Sequence, residues 1–554
     1  MRGIKFKILG LVGGFFSFVL LLILPSSNAI LLSGTRTVLS HSETMILKKI
    51  GISSYKDVNS DNFPKILHKA KAVYVIIPRD FSKSGMRGIK LSEKKGETLF
   101  KLIQIQGYAI KATLAIALLM AIWWITEAIP IPVTSVLPLL LFPLLSIAGP
   151  KGISFPGFFN PFYPYMHYLI VLFLAGFTIA EAMKKWNLHK RISLFFLSKI
   201  SFSPKMVVFA FMIITAVISM FISNTATTAM MLPIGLGIIS ASGIKDSENN
   251  FGKALMLGIA YGASIGGVGT LIGTPPNVVL AGFVDNLLGV KITFFDWLKI
   301  GLPVTALMLP LTFLVLIKVF PVKNLNLGNS KSIIKDELKK LGPLTKGEKN
   351  TLFIFILTAL LWIFEKNIKT AFHLKWVNDA VVGVFAILLF YIIPVNLKKW
   401  EFTLNWDTNK KLPWGTLLLF GGGLSLGTAL DKTGAASYIA SSLGILKSVP
   451  FIVLLFFAVF LMVFLTEITS NTASTNMMLP ILFSIGITTS SNPLVLMIAG
   501  AIGASMAFML PVATPPNALV FGSGYIKMKD MIKAGFFLNI LSILLITLFL
   551  FLRF

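Results

Sequence analysis

A short stretch of this chain is written twice. SNTATTAMMLPI begins at Ser223 and SNTASTNMMLPI begins at Ser470, and in each copy a proline follows the serine by ten residues, at Pro233 and Pro480. Downstream of each copy, GTPPN from Gly273 answers ATPPN from Ala513. Two ordered pairs of motifs inside matching patterns of hydropathy are a signature of internal duplication. The chain must therefore fold the same interrupted path two times over.

What surrounds the motifs is apolar. Over 554 residues the hydrophobic content is 55%, above that of soluble domains. Stretches of about 20 apolar residues, the length needed to cross about 30 Å of hydrocarbon as a helix, recur to the C-terminus. Spans are expected at 8–24, 108–129, 130–147, 165–183, 207–242 (interrupted), 254–283 and 297–320, and again at 351–364, 380–395, 414–430, 450–487 (interrupted), 494–521 and 532–551. This predicts an all-α polytopic membrane protein with about eleven transmembrane helices. If each repeat holds five spans and one hairpin that enters and leaves on the same side, the odd count turns the second repeat upside down. That is the inverted-repeat plan of secondary transporters.

The segments divide as a first transmembrane helix over 1–29, a polar insertion over 30–106, a first repeat over 107–320 with its tip at 223–225, a linker over 321–350, and a second repeat over 351–554 with its tip at 470–472. Basic residues 1–7 before an apolar run, with small residues at 27–29, also fit a cleaved leader; an uncleaved span is preferred. Lys323, Lys331, Lys335, Lys339, Lys340, Lys346 and Lys349 lie in the linker, which the positive-inside rule reads as cytoplasmic. The Lys-rich insertion would then lie outside, against the same rule, which long loops obey poorly.

Composition narrows the function. The net charge of +28 comes without basic stripes interleaved with aromatics, so anionic headgroups rather than nucleic acid are the expected partners. The chain holds no Cys and only 5 His, without metal-protease spacing, and it lacks a phosphate-binding loop or a nucleophilic triad. An enzyme is not expected, nor is an organic cofactor. A channel would need rings of like residues along an open pore.

Ser-Asn-Thr in the middle of an apolar run leaves polar groups without water, so something must satisfy them: a single copy fits a polar contact between helices equally well, and the duplicated pairing favours a ligand site. A chain that reverses at each tip presents helix N-termini, whose free N–H groups and partial positive charge suit a carboxylate or sulfate. Asn and Thr add neutral donors. The paired prolines of TPPN interrupt a helix and leave carbonyl oxygens for a cation. Glu127 is read as a packing or topology residue and Glu467 chiefly as structural, with proton coupling the lesser reading. Gly258, Gly262 and Gly266 make a small-residue ladder for close packing.

These motifs, together with WWITEAIPIPVTSVLP from Trp123, resemble the divalent anion/sodium symporters, a family that moves dicarboxylates, citrate or sulfate; only residues 30–106 fall outside the match. The resemblance implies a homodimer in the cell membrane whose transport domain slides as an elevator against a scaffold domain. It also implies one sodium site at Ser219, Ser223, Asn224, Gly273 and Asn277, and a second at Thr466, Thr469, Asn471, Ala513 and Asn517, where Thr469 would contribute its carbonyl. The anion would lie between Asn224, Thr225, Ser470, Asn471 and Thr472, with Thr514 and Pro515 close by. Relatives that exchange without sodium carry a basic side chain after the tip; here Ala226, Thr227, Thr228, Ala473, Ser474 and Thr475 are neutral. A dianion held by neutral donors needs cations beside it to offset its desolvation. The expected activity is import of C4-dicarboxylates such as succinate, malate or fumarate by sodium symport. A sodium-independent exchanger and a sulfate or citrate carrier are the alternatives.

Overall fold

The computed structural model describes residues 2–39, 57–71, 74–76, 92–147, 159–199, 203–242, 249–322, 330–374 and 376–554. Lys323 and parts of the 30–106 and 321–350 segments lie outside them. The described residues are mostly helical. Among the described residues the strands form two short antiparallel pairs, Tyr74–Ile76 with Ser92–Thr98 and Pro394–Asn396 with Glu401–Phe402.

The first helix, Arg2–Ile23, stops before Pro25, and a second begins at Asn28 and runs to Leu39. Both pack against Leu99–Thr126. That helix starts inside the segment read as a polar insertion. Its Gln106 is buried, donating from Nε2 to the carbonyl of Thr433 at 2.6 Å. Amphipathic Phe63–Ala70 also lies in this segment and buries Phe63 and Ile66.

Five helices among the described residues are long and apolar enough to cross a bilayer: Ile4–Ile23, Ile103–Thr126, Asn250–Val268, Phe294–Val319 and Met528–Arg553. Lys346–Ile363 and Glu365–Phe372 make a sixth if this pair, bent by 71°, is one span. The remaining apolar helices are shorter, because glycine, proline and the SNT motifs interrupt them. Residues 130–147, expected as one span, fold as Ile131–Thr134 and Leu137–Leu144. Residues 254–283 divide into Asn250–Val268 and Pro275–Leu288, and 494–521 into Pro493–Gly503 and Pro515–Phe521.

One apolar core runs through both halves, from Leu169 to Leu550. A second centres on Leu99–Thr126 and includes Leu419, Leu426 and Ala429 of Trp414–Lys432. Within the large core, Pro204–Ser219 lies along Asn250–Val268. A Cβ on Gly262 would stand 2.6 Å from the carbonyl oxygen of Met212, and one on Gly266 would stand 2.2 Å from that of Ala216. Two rungs of the ladder are therefore places where only hydrogen fits. Gly258 is looser, at 3.5 Å from Val208.

Candidate functional site

In the first half, Pro204–Ser219 ends one turn before the SNT motif and the next helix is Asn224–Ala241. Ser223 caps that helix, its Oγ accepting from the N–H of Ala226 at 3.3 Å. Asn224 turns back: its Oδ1 accepts from Ser219 Oγ at 2.7 Å. The Asn224 amide lies against Gly267, where a Cβ would come within 2.6 Å of Oδ1. Gly273 is equally confined, with a Cβ position 2.5 Å from the Gly267 carbonyl oxygen and 2.9 Å from that of Met220.

A helix that stops inside the membrane leaves its last carbonyls without partners, and each must be satisfied. The end of Asn250–Val268 is served by side chains. Asn277 Nδ2 donates to Gly267 O at 3.1 Å and Thr270 O at 2.8 Å, Trp297 Nε1 donates to Val268 O at 2.9 Å, and Thr305 Oγ1 donates to Ile265 O at 3.0 Å. Thr270 Oγ1 in turn donates to Met220 O at 2.5 Å and joins the loop to the first tip.

The second half repeats the plan. Phe451–Thr466 ends before the motif, Ser470 occupies the N-cap and Asn471–Thr488 follows. Asn517 Nδ2 donates to Ala507 O at 3.2 Å and Leu510 O at 3.1 Å, at the same sequence separations, ten and seven, that Asn277 spans. Thr274 and Thr514 share one backbone conformation, φ −142° and ψ 143° against φ −142° and ψ 147°. Thr514 Oγ1 accepts from Asn517 N at 3.4 Å.

Glu467, buried one residue past Phe451–Thr466, has the place Met220 holds in the first half. Its carboxylate accepts from the N–H groups of Phe508, Met509 and Leu510 at 2.7, 2.9 and 3.0 Å, and from Asn539 Nδ2 at 2.8 Å. Four donors saturate a carboxylate. The Phe508 carbonyl accepts from Tyr261 Oη at 2.8 Å, a bond between the halves.

The halves interlock reciprocally. Asn224–Ala241, behind the first tip, packs on Pro515–Phe521 of the second half, and Asn471–Thr488, behind the second tip, packs on Pro275–Leu288 of the first. Each SNT helix thus lies against the TPPN helix of the other repeat. In both halves the Asn amide nitrogen is consumed by carbonyls while its oxygen is spare. Among the described residues, the Oδ1 atoms of Asn277, Asn471 and Asn517 are buried without a hydrogen-bond partner. Amide oxygens without a hydrogen-bond partner, beside backbone carbonyls, are hard donors of the kind an alkali cation takes.

The structure gathers Ser219, Asn224, Gly273 and Asn277 around Met220 and Gly267. Ser223 and Thr225 are exposed beside them. In the second half Thr466, Ala513, Thr514 and Asn517 are buried, Ser470 and Asn471 are half-buried, Thr472 is buried and Pro515 is exposed. Thr469 spends its hydroxyl on Leu465 O at 2.8 Å and Ser474 Oγ at 2.5 Å, and Thr466 donates to Val463 O at 3.1 Å. Sequence reading missed Thr270, Trp297, Thr305 and Asn539 as partners of the broken helices. Glu127 lies on the outer surface, 3.8 Å from Lys7.

This architecture, two broken-helix repeats meeting through neutral polar ends, defines a membrane transporter of the secondary active class. The sodium:sulfate symporter transmembrane region matches residues 106–552, and the chain belongs to that family of divalent anion/sodium symporters. It is 40% identical over 446 residues to a protein of Staphylococcus saprophyticus named sodium-dependent dicarboxylate transporter SdcS, covering 78% of this chain and 84% of that one. A protein of the same name from Staphylococcus aureus is 40% identical over 449 residues, with the same coverage of both chains. Among solved structures, the Alcanivorax borkumensis YdaH transporter overlays with a TM-score of 0.49 at 14% identity, over 71% of this chain and 86% of that one. The family is one of multi-pass membrane transporters, not enzymes.

Proposed function

We propose that the chain imports a small dianion, a C4-dicarboxylate such as succinate, malate or fumarate, by sodium symport. The observation that carries this reading is the pair of buried, unpartnered amide oxygens at Asn277 and Asn517, set identically in the two halves. One sodium ion is bound among Ser219, Ser223, Asn224, Gly273 and Asn277. The other is bound among Thr466, Thr469, Asn471, Ala513 and Asn517, with Thr469 restricted to its carbonyl because its hydroxyl is engaged. The dianion lies across the N-termini of Asn224–Ala241 and Asn471–Thr488, held by Asn224, Thr225, Ser470, Asn471, Thr472, Thr514 and Pro515. Helix N-termini and neutral donors attract it, and the two cations offset its charge.

Sodium bound first draws the tip and the TPPN loop of each half together and completes the anion site, so the two ligands favour one another. The tips act as re-entrant hairpins of an eleven-span inverted repeat, carried by a homodimeric elevator in the cell membrane. The names of the staphylococcal relatives support sodium and dicarboxylate over the exchanger and sulfate readings. In proteoliposomes an inward sodium gradient should drive succinate uptake that stops when potassium replaces sodium and falls at least tenfold in Asn224→Ala and Asn471→Ala. Uptake that ignores sodium but needs internal dicarboxylate would replace symport with exchange.

A further inference from the structure

The helix Leu188–Ser198 and the linker helix Ser330–Lys340 flank a cavity of about 810 Å³ that plays no part in the transport site. Its floor is apolar, built from Leu188, Ile192, Leu338 and Leu352, and its rim carries Arg191, Lys199, Lys335 and Lys339. The walls are pinned before any ligand arrives. Lys190 binds Glu337 at 2.9 Å, Arg191 binds Glu348 at 2.6 Å, and Arg191 also donates to the carbonyls of Leu341 and Gly342 at 3.0 and 2.9 Å.

The cations of the rim are not equally engaged. Arg191 is spent on Glu348 and the linker backbone, whereas Lys335 and Lys339 make no ion pair among the described residues. Lys199 lies only over the Phe195 ring, 5.7 Å from its centroid. Phe195 and Phe196 stand about half exposed at the mouth, at 50% and 53%. Exposed aromatics beside uncompensated lysines, on a helix joined to the Lys-rich linker, mark the level where acyl chains meet headgroups on the cytoplasmic side.

We propose that this groove is a binding site for an anionic phospholipid of the cytoplasmic leaflet. An acyl chain occupies the apolar floor and the phosphate is held by Lys199, Lys335 and Lys339. The lipid then joins the inter-repeat linker to the first half. Neither property alone identifies the occupant. A soluble anion would leave the apolar floor wet, and a neutral lipid would leave three lysines without a counter-charge.

The test is native mass spectrometry of the full-length protein purified with phosphatidylglycerol, comparing wild type with Lys199→Gln/Lys335→Gln/Lys339→Gln and with a control, Lys398→Gln/Lys399→Gln, on another exposed loop. Wild type and control should retain phosphatidylglycerol in preference to phosphatidylcholine. The groove variant should lose that preference by roughly fivefold for each lysine neutralised, and the Arg counterparts of the same three lysines should restore it. Equal retention by wild type and groove variant would overturn the proposal. So would displacement of the lipid by inorganic phosphate, which would make this a phosphate site, or a shift of oligomeric mass in the variant, which would make it a contact between copies.

Discussion

The two halves bring the same donors to the same places and hold them there by different means. Asn277 and Asn517 span equal separations, and Thr274 and Thr514 share one conformation. Yet the first tip is fastened to its loop by a neutral bond, Thr270 to the Met220 carbonyl, while the second is fastened by one buried carboxylate, Glu467, that takes four donors. The first half closes its broken helix with the side chains of Trp297 and Thr305; the second borrows Tyr261 from the first. The comparison teaches that the placement of the TPPN asparagines and threonines is what the halves share, and that the bonds behind it were free to diverge.

Breaking the fastening should therefore hurt the second half more. Glu467→Ala strands the buried N–H of Phe508, the half-buried N–H groups of Met509 and Leu510 and the buried amide of Asn539, where a buried group left unpaired costs about 1–3 kcal/mol. Thermal unfolding in detergent should show a loss of at least ~3 kcal/mol and uptake should vanish, with Glu467→Gln intermediate because one acceptor oxygen remains. If Glu467→Ala unfolds like wild type, the four-donor role is wrong. Close packing should show the opposite bias. Gly262→Ala drives a methyl into the Met212 backbone and should cost about 1–3 kcal/mol by overpacking. Gly503→Ala, whose added carbon meets Met462 Cβ at 3.2 Å, should cost less than about 1 kcal/mol. Equal losses at the two glycines would erase the distinction.

Thr270→Val removes the neutral bond of the first half and should cost only about 1 kcal/mol, with uptake kept and sodium affinity modestly reduced. The smallest effect lies in the linker between the halves. Hydrogen bonds from Lys190 and Lys340 hold Glu337 down at about 2. Its folded-state value lies below the unfolded one, so its stabilising contribution is present above about 4.5 and is lost as the pH falls through about 2. For a partly exposed pair this is under about 1 kcal/mol. Hydrogen exchange of residues 330–340 should quicken across that window in wild type, beyond the intrinsic pH trend, and not in Glu337→Gln.

Much of the candidate site was legible because its signal is local. SNT and TPPN interrupt apolar runs, and their duplication marks both tips and, in the TPPN segments, Asn277 and Asn517. What stayed hidden is long-range. No pattern in the letters pairs Glu467 with residues 508–510 or Asn277 with the end of Asn250–Val268, since these bonds depend on how broken helices meet in space. Nor does hydropathy reveal that each SNT helix packs on the other repeat's TPPN helix. Element ends failed for a related reason: apolarity reports the medium, not the break, so 130–147 read as one span and Leu99–Thr126 read as starting late.

The central claim is that Asn277 and Asn517 act as equivalent halves of one sodium-dependent site. Its most direct test is succinate uptake by proteoliposomes as a function of external sodium, for wild type, Asn277→Ala and Asn517→Ala. The account predicts that each substitution raises the sodium concentration for half-maximal uptake at least tenfold and makes the sodium dependence less steep. A sodium curve that matches wild type in either variant would contradict it.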